Sequence, residues 1–182
     1  RPPGVGPAGG RARVSIAVVV AVVIGAVAFS WPLFLRPESG LRPEQAPIVF
    51  ALVLPIVLAI VLSEVAGGRM DARTLAMLGV LAAVGTILRP LSAGTAGFEL
   101  VFFVLILAGR AFGAGFGFAL GAITLFTSAL ITSGVGPWLP YQMLAAGFVG
   151  LFAGLLPRVR GRVEVVLLAG YGFVSAFAYG WV

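Results

Sequence analysis

The stretch G-A-G-F-G-F-A-L-G-A-I-T-L-F-T-S-A-L-I-T, residues 113–132, decides the fold. It contains no charged residue, and its polar side chains are hydroxyls of Thr124, Thr127, Ser128 and Thr132. A helix of about 20 apolar residues is about 30 Å long, the thickness of the hydrocarbon core of a bilayer. Threonine and serine are tolerated there because their hydroxyls can bond their own helix carbonyls. The segment therefore reads as a membrane-spanning helix.

Similar runs lie on both sides of it. Working outward, the apolar stretches cover 98–109, 74–88, 46–64 and 13–35 on one side, and 139–156 and 163–182 on the other. The fold class expected is all-α, a polytopic transmembrane helix bundle of about seven membrane segments. Composition agrees. Hydrophobic residues make up 60% of the 182 positions and charged residues 10%, whereas soluble domains carry about 25% charged residues. The run 98–109 is too short to cross upright. It is expected to be a short span rather than a re-entrant loop, because the flanking charges then alternate. The first run is too long for the apolar part of a signal peptide. The chain starts with Arg1 and stops at Val182 within or just after an apolar run, which is expected for a piece of a longer chain, although processing would also explain the first.

The charge pattern orients the bundle. The twelve basic residues are all arginine, and their net excess is +6. With the N-terminus in the cytoplasm, seven spans put Arg1, Arg11, Arg13, Arg69, Arg73, Arg110, Arg158, Arg160 and Arg162 inside. Arg36, Arg42 and Arg89 fall outside. Positive residues favour the cytoplasmic side, so a multi-pass cell-membrane protein with a cytoplasmic N-terminus is expected. Orientation explains this basic balance more simply than nucleic-acid binding does. The cluster Arg158, Arg160, Arg162 reads as a topology anchor, with anionic lipid or a cytoplasmic partner as the alternative.

Several chemistries are excluded. No histidine or cysteine is present, so imidazole or thiolate metal sites and His-based triads cannot form. Without lysine there is no phosphate-binding loop of the G-x-x-x-x-G-K-[ST] type. The six acids, Glu38, Glu44, Glu64, Asp71, Glu99 and Glu164, lie in loops or at the ends of the apolar runs. Intramembrane catalysis and ion pumping want ionisable groups at mid-membrane. The expectation is a non-enzyme with no cofactor and no metal.

Small residues recur at helical spacing. Gly109, Gly113, Gly117 and Gly121 are four apart, as are Ala146, Gly150 and Gly154. So are Ala72 and Ala76, and Gly79 and Ala83. In lipid such columns let helix backbones approach closely, either inside this chain or against another subunit. A second concentration lies at the expected outer edge. Arg89 ends one run, Glu99 begins the next, and Trp138, Tyr141 and Gln142 open the sixth. An interfacial aromatic belt explains Trp138 and Tyr141, and Arg89 and Glu99 can simply pair. Alternatively the five line a ligand pocket, with aromatic walls and a few directed polar groups. Thr124, Thr127 and Ser128 share a helix face and offer a second place for such a pocket.

Three stretches also carry a family resemblance. They are L-A-M-L-G-V-L-A-A-V-G-T-I-L-R-P from Leu75, F-E-L-V-F-F-V-L-I-L-A-G-R-A-F-G from Phe98, and G-F-G-F-A-L-G-A-I-T-L from Gly115. A short helix, a Gly-bracketed turn and a Gly-rich helix in this order resemble the S components, the substrate-binding membrane subunits of energy-coupling factor (ECF) transporters. The segment G-V-G-P-W-L-P-Y-Q-M-L from Gly134 is similar to actinobacterial members. The resemblance implies a subunit that binds a vitamin-like micronutrient from outside and does not hydrolyse ATP. It implies docking on a transmembrane coupling subunit that carries two cytoplasmic ATPases. The family docks through small residues, often A-x-x-x-A, on its first core helix. Ala72 and Ala76, followed by Gly79 and Ala83, fit this pattern, as do Ala17 and Ala21. The implied organisation is a cytoplasmic tail at 1–12, a two-helix extension at 13–66 and an S-component-like core from 72 to 182, with its last helix beyond the chain. A membrane-embedded structural or assembly protein without a ligand is the alternative. The substrate itself is not named by the sequence.

Overall fold

The computed structural model describes residues 16, 19–25, 27, 46–67, 70–91 and 100–179. All regular structure among them is helical. Residues 19–25 belong to α1. Then come α2 (Ala46–Ala66), α3 (Ala72–Leu91), α4 (Leu100–Phe112), α5 (Ala114–Ile131), α6 (Leu139–Leu155) and α7 (Arg162–Tyr179). Counted over the described residues, three of these, α3, α5 and α7, are long and apolar enough by themselves to cross a membrane. α4 has 13 residues, which at about 1.5 Å per residue gives about 20 Å.

Local chemistry sets the boundaries. α3 starts at an Asp71 cap, whose Oδ1 accepts the Thr74 N–H at 2.9 Å. This satisfies one of the free donors of the first turn. α4 and α5 are joined by Gly113 alone, at φ 100°. That conformation costs a residue with a Cβ and not glycine. Gly113 therefore serves the turn, and a Cβ on it would meet nothing within 4 Å. The expectation that it packs tightly in line with Gly117 and Gly121 does not hold for this residue. α5 ends with Ser133 at φ 55° and the Gly134 N–H donating to Ala129 O at 2.9 Å, a left-handed cap that satisfies a free carbonyl.

The other glycines of the column do pack. A Cβ on Gly117 would run into the Gly150 carbonyl of α6 and lie 2.9 Å from Gly109 Cα of α4. One on Gly121 would strike the Ala146 carbonyl and lie 2.6 Å from Gly147 N. One on Gly154 would come within 2.5 Å of Ala114 N. Three helices thus touch backbone to backbone, and removing these glycines' neighbours from lipid is a matter of shape. Around that contact Leu105, Phe118, Leu120, Leu125, Leu139, Met143, Leu144 and Leu151 are fully buried.

α5 is the most enclosed long helix, and α7 lies largely on the outside. α7 is tied on by Tyr171, whose hydroxyl donates to Val149 O at 2.7 Å. α2 also joins the bundle: Val57, Ile60, Val61 and Glu64 are buried. Glu64, expected at a span end, lies near the end of α2 but inside the protein, against Gly115 of α5.

Candidate functional site

Two helices set the geometry of a polar cluster in the bundle interior. Gly85 and Arg89 of α3 face Thr124 and Ser128 of α5, so equal steps along both helices stay in contact and the two run parallel. A Cβ on Gly85 would lie 2.8 Å from Thr124 Cγ2 and 3.2 Å from its Oγ1. Glycine here lets the threonine lie on the α3 backbone. One residue on, the Thr86 hydroxyl donates to Thr124 O at 3.5 Å. Pro90 has no N–H to give to the Thr86 carbonyl one turn earlier.

Arg89 forms the next rung. It lies in the last turn of α3, where the partial negative charge of the helix end favours a cation. Its Nη2 donates to Gln142 Oε1 of α6 at 3.1 Å, and its Nη1 to Ser128 Oγ of α5 at 3.5 Å. The guanidinium therefore joins three helices. Its Nε is buried and has no hydrogen-bond partner among the described residues. The same holds for Thr124 Oγ1, in a side chain with no exposed surface. Buried polar groups are nearly always satisfied, so two orphans in adjoining rungs mark this place as different from the rest of the core.

The structure thus brings together Arg89 and Gln142 from the edge identified in sequence. It adds Ser128, placed there in a separate stripe, and Thr86, which sequence reasoning missed. The available signal for Thr86 was its spacing, three residues before Arg89 on the same helix face. Tyr141 is half-buried on α6. Trp138 caps α6 and is 53% exposed, its ring lying over Gly136 of its own turn. Glu99 lies outside the described residues. Thr127 is half-buried, and Thr132 bonds back to Ser128 O at 2.8 Å as a helix hydroxyl does.

The opposite end holds a second arginine with no open valence of this kind. Arg110 Nε donates to Glu164 Oε1 at 2.6 Å and Nη2 to Oε2 at 2.9 Å. Nη1 donates to Leu156 O at 2.5 Å and Nη2 also to Pro157 O at 3.0 Å. The end of α4, the α6–α7 connection and the start of α7 are pinned by one side chain. At the start of α3, Asp71 is held below the ordinary carboxylate value of 3.8, by the Thr74 hydroxyl first and the Thr74 backbone second.

The small-residue face of α3 is open. Ala72, Ala76, Gly79 and Ala83 are all exposed, and a Cβ on Gly79 would meet nothing within 4 Å. The buried face of α3 is a different one, Leu78, Ala82, Gly85 and Thr86. Of the alternative pair, Ala21 is buried in the bundle and Ala17 lies outside the described residues.

A helical bundle with three helices long and apolar enough to cross a membrane, and a buried polar cluster near one end, is the architecture of a membrane protein. Comparison with known families makes this specific. Residues 73–182 match the family described as the ECF transporter, substrate-specific component. The match covers more than half of the chain, and the chain belongs to that family. Neither the curated proteins nor the solved structures gave a match.

Proposed function

We propose that the chain is the specificity subunit of an ECF uptake transporter for a vitamin or similar micronutrient. It takes the substrate from outside at the Arg89 end, docks on the coupling subunit through α3, and leaves ATP hydrolysis to the two cytoplasmic ATPases. The observation that carries the site is the convergence of Arg89, Ser128 and Gln142 from three helices on one half-satisfied polar cluster. Tyr141, Trp138 and Glu99 are assigned to its rim. Losing a directed hydrogen bond at a buried site costs about 0.5–1.5 kcal/mol, so Gln142→Ala should weaken ligand binding several-fold. Calorimetry on the full chain with the small molecule identified by co-purification tests it. Unchanged affinity in both Trp138→Ala and Gln142→Ala would return Trp138 and Tyr141 to an interfacial belt.

For docking, the exposed face Ala72, Ala76, Gly79, Ala83 is favoured over Ala17 and Ala21, because a buried Ala21 cannot meet another subunit. Ala76→Trp should leave ligand binding intact and abolish co-purification with the coupling subunit. Retention of the complex would remove this face from consideration. The tail 1–12 and the Arg158 to Arg162 connection are assigned to the cytoplasm, on the nine-to-three division of arginines. The natively Cys-free chain allows a direct check with Arg160→Cys: labelling from outside intact cells would invert the topology. The extension 13–66 is proposed as an addition to a core beginning near residue 72.

A further inference from the structure

We infer that the substrate is an organic monoanion, and that its carboxylate is received by Arg89 and Thr124. This rests on the reading of the cluster as the ligand site and specifies what that site takes. The first argument is charge. Arg89 is partly buried and donates to two neutral oxygens, Gln142 Oε1 and Ser128 Oγ. No carboxylate partner of Arg89 occurs among the described residues. A cation taken from water in this way wants a counter-charge. An acidic substrate supplies one directly, and a neutral or cationic substrate does not.

The second argument is geometry. A guanidinium offers Nε–H and one Nη–H along a single edge, a fork matched to the two oxygens of a carboxylate. Here Nε is buried and has no partner among the described residues. The other nitrogen of that edge is Nη2, which carries two N–H groups and gives one to Gln142 Oε1 at 3.1 Å. Thr124 Oγ1 supplies a further hydroxyl without a partner, one helical turn deeper.

The third argument concerns the size of the charge. Among the described residues Arg89 is the single cation at this end of the bundle. Arg73, Arg110, Arg158, Arg160 and Arg162 belong to the opposite end, where α3 and α7 begin and α4 and α6 finish. One guanidinium neutralises a carboxylate but leaves a phosphate dianion half-compensated. The neutral donors around it are few, which fits two acceptor oxygens better than three.

Matched acid and neutral pairs test this on the full chain in detergent. The probes are nicotinate with nicotinamide, biotin with its amide and pantothenate with panthenol, alongside thiamine, riboflavin and pyridoxine. Binding is read by native mass spectrometry and by the shift of the unfolding midpoint. At least one acid should bind, with its neutral partner ten-fold weaker or more. Arg89→Gln should remove that preference, and Arg89→Lys should restore only part of it, since an ammonium keeps the charge and loses the fork. Thr124→Val, nearly isosteric, should weaken the acid several-fold while the apo protein stays folded. Ser63→Ala, whose hydroxyl bonds only its own helix at Ile60 O, should change nothing. Binding of a neutral or cationic probe with no acid bound overturns the monoanion and leaves the ligand site standing. An acid bound equally by wild type and Arg89→Gln also overturns it. If no probe of either set binds, the ligand-site reading falls with it.

Discussion

Two arginines at opposite ends of the bundle have been given opposite environments. Arg110 donates to a carboxylate through two nitrogens and to two backbone carbonyls besides. Arg89 donates to one amide and one hydroxyl, and its Nε has no partner among the described residues. Both join three segments of chain. One is saturated by the protein itself, so its task ends with folding. The other is left short of acceptors among the described residues, in a place where an unmet donor costs free energy, and that contrast is the ground for the proposed site.

The comparison assumes a stiff middle, and breaking that middle should do most damage. Gly117→Leu places a side chain where the Gly150 carbonyl and Gly109 Cα already lie. Overpacking costs about 1–3 kcal/mol where side chains can move and more where they cannot, and here the obstacle is backbone. Folded yield in detergent should collapse. A normal yield and an unchanged unfolding midpoint would show that this face meets only lipid.

Next comes the saturated end. The Arg110 and Glu164 side chains are 10% and 25% exposed. Removing Arg110 leaves Glu164 and two carbonyls without their donor, and Arg110→Gln should clearly lower the unfolding midpoint. Arg110→Lys should recover little, because it cannot serve Glu164 and two carbonyls together. Unfolding midpoints of the two variants measure this.

The open end should respond much less when no ligand is present. Arg89→Gln exchanges a half-satisfied cation for a neutral amide, with a net change of less than about 1 kcal/mol. A loss as large as that of Arg110→Gln would make Arg89 a structural pin and remove the contrast on which the site rests.

The smallest effect is a pH dependence confined to one end. The Asp71 carboxyl titrates below 3.8 in the folded chain because of Thr74. A depressed folded value means that the cap's contribution is present above the ordinary carboxylate range and is lost as pH falls through the folded value. α3 should therefore fray at its start in acid, and Asp71→Asn, which keeps a capping oxygen, should abolish that part of the pH response. Hydrogen exchange at the first turn of α3, followed from about pH 5 down to about pH 2, across and below the ordinary carboxylate value, reports it. Equal acid sensitivity of the Arg89 end would point to a carboxylate partner there.

The helices were largely legible in the chain. α5 was expected at 113–132 and runs Ala114–Ile131, and α6 was expected at 139–156 and runs Leu139–Leu155. Long apolar runs leave no other way to satisfy the backbone in lipid, so composition and length suffice. Family membership was legible too, in the order of short helix, Gly turn and Gly-rich helix. The site was only half legible. Arg89 and Gln142 stood out because charge and amide are rare in such runs. Ser128 and Thr124 stood out as a stripe of their own, but their meeting with α3 did not, because a hydroxyl in a membrane helix is satisfied by its own backbone as easily as by a neighbour.

By itself, then, the sequence determined a helical membrane bundle, the bounds of its described helices to within a few residues, and its membership of the substrate-specific components. Tertiary structure alone decided which small residues are spent. Gly117 and Gly121 are closed against α6, Gly113 is a turn, and the Ala72 to Ala83 face is left open. Spacing four apart is the same in all three cases. What differs is the neighbour that each face meets, and that depends on how α3, α4, α5 and α6 cross. The partners of Arg110 lie 46 to 54 residues away and those of Arg89 39 to 53. Pairings over such separations are made by packing, and no local pattern encodes them.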